Sequence, residues 1–231
     1  MRTVGLIGGI GPESTVDYYR AIIAAYRERQ PDGSYPSVVI NSIDAKRMLD
    51  AFAAGELAAV TDYLVTEVER LAGAGVTVGL LAANTPHLVF DEVQRRSPIP
   101  LVSIVEATCA AVQALGLTRL GLFGTRFTMQ GRFYPDVLAK AGVAIVVPDA
   151  VEQAYIHDKY MSELVKGILL PETREQLLAI VERMKTEDRI DGVILGGTEL
   201  PLILRAPAAS GIPLLDTTQI HAKALVARAS S

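Results

Sequence analysis

Two short stretches of this chain combine glycine, hydroxyl, amide and acidic residues in a pattern that could hold and alter a small ligand. AANTPH runs from Ala82 to His87, and LGGTELP runs from Leu195 to Pro201; each follows an apolar run. Asn84, Thr85 and Thr198 would offer short hydrogen-bond donors to a carboxylate. His87 and Glu199 are the neighbouring groups whose pKa values ordinary tuning can bring into the range of acid–base work. A plainer role competes with each. Asn84 and Thr85 also suit the cap of a helix whose first turn holds Pro86. A single histidine near a helix start is more often structural than catalytic, which makes His87 a secondary candidate.

Three further turns have similar chemistry. GGIGPEST, from Gly8 to Thr15, has Pro12 interrupting a dinucleotide fingerprint and no glycine at its third position. A Gly-Lys-Ser/Thr phosphate loop is absent too, so nucleotide binding is disfavoured. What remains is a tight turn at Gly8 and Gly9 exposing backbone N–H groups ahead of a helix start, an arrangement that suits a carboxylate. GTRFTMQ supplies the hydroxyls of Thr125 and Thr128 and the charge of Arg126; its plain alternative is a Thr128 cap and a solvated arginine. LLDTTQIHA offers Asp216 or Thr217 as an N-cap, with His221 about one turn into the last helix, where a structural and a catalytic role are equally open.

These turns need a scaffold that brings strand ends together. Short β-branched runs (TVGLIGG, SVVINS, VTVGLLAAN, RLGLFGT, VAIVVPD, GVILGG and IPLLDT) alternate with segments of helical apolar spacing such as 55–74 and 172–185. Continuously apolar strands alternating with amphipathic helices predict βαβ units around parallel sheets. VGLIGG at Val4 resembles LGLFGT at Leu120, and GLLAANTPH at Gly79 resembles VILGGTELP at Val193, both offset by about half the chain. That distance is far beyond a solenoid period. It predicts an α/β protein of two similar Rossmann-like halves. Ligands of open parallel sheets lie beyond the carboxyl ends of the strands, so two facing halves would surround one cleft with four turns.

Composition sets the limits. The 231 residues are 50% hydrophobic and 21% charged, ample for a packed core and unlike a disordered chain. A formal charge of −4 disfavours a nucleic-acid or anionic-membrane surface while leaving room for a small anionic ligand. The lone cysteine, Cys109, excludes an internal disulfide and a Cys-rich metal site. No run reaches the length of a membrane span, and the N-terminal apolar run is too short for a secretory signal. A soluble, cytoplasmic protein is expected.

In their order and spacing, GGIGPEST, ANTPH, GTRFTM, GGTELP and LDTTQIHA resemble the aspartate/glutamate racemase family across nearly the whole chain. The resemblance implies two Rossmann-like halves related by a pseudo-twofold axis, with the ligand cleft between them. The C-terminal helix would return to the first half, giving residues 1–99 plus 208–231 and residues 100–207. It also implies a homodimer, no cofactor, no metal, and a small acidic amino acid or dicarboxylate as ligand. In the family, two cysteines exchange the Cα proton from opposite faces. Here Ala83 and Gly197 stand at those positions, so two-thiol racemisation is expected to be absent. The ligand-holding residues implied are Gly8, Gly9, Asn84, Thr85, Thr125, Thr128 and Thr198, with Arg47 and Lys166 (or Lys159) for a second carboxylate. Thr198, Glu199 and His87 are the weak substitutes for the missing thiols. The competing functions are a non-catalytic acidic amino-acid binder and a related decarboxylase.

Overall fold

The computed structural model describes residues 2–230. In chain order its elements begin with β1 (Val4–Gly8), α1 (Pro12–Arg29), β2 (Val38–Ser42), α2 (Ala45–Ala53), α3 (Leu57–Gly73) and β3 (Val78–Leu81). A 3-10 turn (Thr85–Val89), α4 (Phe90–Arg96), β4 (Leu101–Val102) and α5 (Ile104–Leu115) follow. Next come β5 (Arg119–Gly124), α6 (Arg126–Gln130), α7 (Phe133–Lys140), β6 (Ala144–Val146), α8 (Ala150–Ser162) and a second 3-10 turn (Leu164–Lys166). The chain closes with α9 (Pro171–Glu187), β7 (Gly192–Gly196), α10 (Leu200–Ile203), β8 (Ala208–Ala209), β9 (Ile212–Asp216) and α11 (Thr217–Ala229).

Two compact units emerge. The first comprises residues 1–104 and 221–231, the second residues 105–220. The sheet of the first unit has the order β2-β1-β3-β4, all parallel. That of the second has β6-β5-β7-β9, parallel again, with β8 added antiparallel at the edge. Each parallel set follows the same second-first-third-fourth order, so the sequence repeat corresponds to a repeated topology. Strands β1, β3 and β7 are buried along their whole length. This explains their unbroken apolar runs, since a parallel strand covered on both faces has no solvent side to mark with polar residues.

The core of the first unit joins Leu6 and Leu80 from the sheet to Tyr18 and Ile22 of α1 and to Leu225 and Val226 of α11. In the second unit Phe123 and Leu195 meet Ile156 and Tyr160 of α8 and Val181 and Met184 of α9. A capping box starts α8. Asp149 accepts from the amides of Val151 and Glu152, while the Glu152 carboxylate accepts from the Asp149 amide. Arg183 of α9 reaches the same Glu152 through its Nε at 2.6 Å and Nη2 at 2.5 Å, fastening the two helices together. Among the described residues, no helix is long and apolar enough to cross a membrane, and no three His, Cys, Asp or Glu residues are grouped to hold a metal ion.

Candidate functional site

In the first unit, β1 and β3 are adjacent, with Ile7 paired to Leu81, so the Gly8–Gly9 turn and the AANTPH turn leave the sheet side by side. Their glycines have steric reasons. A Cβ on Gly8 would lie 2.5 Å from the Thr15 methyl, and Gly9 has φ +82°. The turn exposes fewer donors than its sequence suggests, because the Gly9 amide donates to Thr15 Oγ1 at 2.8 Å. Thr15 Oγ1 in turn donates to the Gly11 carbonyl at 2.8 Å.

After β3, Ala83, Asn84, Thr85 and His87 are all buried. Asn84 stands at the N-cap of the 3-10 turn, yet its side chain makes no capping hydrogen bond. The capping role weighed for it is therefore not what orders this turn. Pro86 at the start and His87 do that work. The His87 Nε2 accepts from the Ile104 amide at 3.0 Å, which leaves Nδ1 protonated and donating to the Ala83 carbonyl at 3.0 Å. Burial, reinforced by the neighbouring His221, brings the His87 pKa down to about 3. Its ring is a neutral brace for the loop with both nitrogens engaged.

His221 is likewise structural. Its Nε2 donates to the Val102 carbonyl at 2.8 Å, so Nδ1 accepts from the Tyr18 hydroxyl at 3.0 Å. Burial lowers its pKa to about 4. Arg47, expected to meet a second carboxylate, is exposed on α2, with its guanidinium 4.5 Å from the centre of the Tyr63 ring. The two residues line an open hollow of about 490 Å³ between α2 and α3.

In the second unit, β5 and β7 end in register with Gly124 opposite Gly196. The strands approach so closely that a Cβ on Gly124 would lie 2.5 Å from the Gly196 carbonyl oxygen. One on Gly196 would lie 2.8 Å from the Phe123 carbonyl oxygen. The first glycine of LGGTELP is thus required by sheet packing. At the neighbouring turn, the cap of α6 is Thr125 rather than Thr128: its hydroxyl accepts from the Thr128 amide. Thr125 has the extended backbone of an N-cap, whereas Thr128 is already inside the helix. Arg126 packs on His157, whose Nδ1 accepts from the Arg126 amide at 3.2 Å.

The second glycine has a different partner. A Cβ on Gly197 would overlap Cε2 of Tyr160 and lie 3.0 Å from its Cζ and 3.1 Å from its hydroxyl oxygen. The Tyr160 hydroxyl donates to Glu199 Oε2, and the Thr198 hydroxyl donates to the same oxygen at 3.0 Å. All three residues are buried. Burial and the adjacent Glu199 carboxylate push the Tyr160 phenol well above its ordinary pKa, so it stays protonated. Tyr160 escaped the sequence reading, although Ile156, Tyr160 and Leu164 at intervals of four mark an inward face of the IHDKYMSELVKG segment.

The remaining cations do not gather at this turn. Lys159 pairs with Glu163, and Lys166 is exposed on the second 3-10 turn. Cys109 lies buried within α5, where burial raises the pKa of its thiol.

Comparison with known proteins decides the family. The model of the family described as Asp/Glu/Hydantoin racemase matches residues 7–225. The chain belongs to that family. It is 35% identical to an aspartate racemase homologue from Pyrococcus horikoshii, the match covering 100% of both chains with a TM-score of 0.84. The broad specificity amino-acid racemase RacX of Bacillus subtilis is 27% identical, over 96% of each chain. A Picrophilus torridus aspartate racemase, 21% identical, shares the fold with a TM-score of 0.78 over 100% of this chain and 95% of its own.

Proposed function

We propose that this family member binds a small acidic amino acid or a related dicarboxylate and does not racemise it by the two-thiol route. Family membership supports the ligand class and the general chemistry of amino-acid isomerases. Against that background, the observation that carries the reading is the state of the turn after β7. Position 197 has no side chain, and the space beside it holds a protonated phenol bonded to Glu199. The residues around the other turn lead the same way. Ala83 has only a methyl group, and both nitrogens of His87 are taken up by backbone partners. Removing a Cα proton beside a carboxylate needs a base held close, and inversion needs an acid on the opposite face. Neither turn supplies such a pair.

Two measurements test this. In deuterium oxide, L- and D-aspartate and glutamate should keep their Cα protons in the presence of the protein, while a thiol-containing relative exchanges them. Exchange at a comparable rate would overturn the proposal. Acidic amino acids should still raise the thermal unfolding midpoint, and stabilisation by malonates with release of CO₂ would instead indicate a decarboxylase. Asn84→Ala should weaken the bound acid by about tenfold, the loss of one hydrogen bond to a charged group. An unchanged affinity in a folded variant would remove Asn84 from the ligand site.

A further inference from the structure

We propose that Tyr160 is the positioning residue that decides what the β7 turn can carry: its ring, bonded to Glu199, holds position 197 to glycine. The backbone does not require a glycine there, because Gly197 is not among the residues with positive φ. Space does. The first atom of any side chain would overlap Cε2 of Tyr160, with Cζ and the hydroxyl oxygen close behind.

An overlap with the tip of a flexible side chain would be relieved cheaply, but this ring is held at both ends. Its body packs in the core with Phe123, Ile156, Leu164 and Leu195. Its hydroxyl is bonded to Glu199, two residues beyond the glycine itself. The helix that carries it is fixed by the Asp149–Glu152 capping box and by Arg183. Swinging the ring aside would break a buried hydrogen bond to a carboxylate and open a void in the core. The two positions are therefore coupled: a side chain at 197 and an aromatic ring at 160 exclude each other. Relieving that exclusion is a condition for placing a thiol on this turn.

The coupling is measurable without any ligand. Gly197→Cys alone should lower the thermal unfolding midpoint by roughly 5 °C, the scale of an overpacked core site in a chain of this size. In a Tyr160→Leu background the same substitution should cost little, whereas in a Tyr160→Phe background, which keeps the ring but not its bond to Glu199, an intermediate loss should remain. Equal losses in all three backgrounds, or no loss with Tyr160 present, would overturn the proposal. Should Tyr160→Leu fail to fold, Gly197→Ala compared between the wild-type ring and the flexible Tyr160→Met variant makes the same test with one added methyl group.

A second consequence rests on the proposed function. With Ala83→Cys and Gly197→Cys combined, Cα exchange of aspartate or glutamate should appear only when Tyr160→Leu is also present. Exchange that appears equally with the ring retained would count against Tyr160 as the barrier. No exchange from the triple variant, with the stability coupling intact, would leave that coupling supported and overturn the assigned ligand class instead.

Discussion

Lowering the pH from 7 to 5 should strip about 2 kcal/mol of folding stability from each of His87 and His221, well before the carboxylates titrate. Both rings are buried and neutral in the folded protein, with pKa values brought down to about 3 and about 4. In the unfolded chain each returns to about 6.5. The stabilisation is therefore complete above pH 6.5 and is lost as pH falls from there towards the folded values, because only the unfolded chain takes up protons in that window. The physical reason is visible in the geometry. Each ring already uses one nitrogen as donor and the other as acceptor, so an added proton has to displace the Ile104 amide from His87 or turn the Tyr18 hydroxyl from donor to acceptor at His221. The ring centres are 5.9 Å apart, and a charge on one opposes a charge on the other. Urea unfolding at several pH values should show a slope approaching two protons between pH 6 and 5. In NMR titrations the imidazole signals of these two residues should not move above pH 5. A ring among them that titrates near 6.5 would refute the assignment.

The same pair shows where sequence reading stops. The strands were legible because a buried parallel strand leaves a continuous apolar run, and the two-fold repetition was legible because its turns keep the same residue types. Of the sheet elements, β8 left no signal, since two alanines at an edge are too short to show any periodicity. His87 and His221 each carried a catalytic possibility in the sequence. Their actual partners, Ala83, Ile104, Val102 and Tyr18, include one 203 residues distant in the chain and three that are backbone groups carrying no sequence signature. Tyr160 presents the same difficulty. Its bond to Glu199 spans 39 residues, and its steric claim on Gly197 can be recognised only once α8 is laid against β7. Family resemblance located the turn, whereas packing explains why it carries glycine.

The heaviest cost from a single methyl group is expected at Gly9. Gly9→Ala should destabilise the protein by about 2–4 kcal/mol, the sum of a left-handed backbone penalty of about 1–2 kcal/mol and a steric overlap worth a similar amount. The overlap is with backbone: the new Cβ would sit 2.5 Å from the Ile43 carbonyl oxygen and 2.8 Å from the Ile43 nitrogen. Those atoms cannot retreat freely, because the Ile43 amide donates to the Gly8 carbonyl at 2.9 Å and continues the β1–β2 ladder. Gly75 provides the control. Its φ of +85° is nearly the same, yet nothing lies within 4 Å of the Cβ position. Gly75→Ala should therefore cost about 1 kcal/mol, the conformational penalty alone. Equilibrium urea unfolding of the two variants separates strain from overlap, and equal losses would show that the contact with Ile43 contributes nothing. Because β1 pairs directly with β3, the damage at Gly9 should also reach the AANTPH turn, weakening stabilisation by acidic amino acids more than Gly75→Ala does.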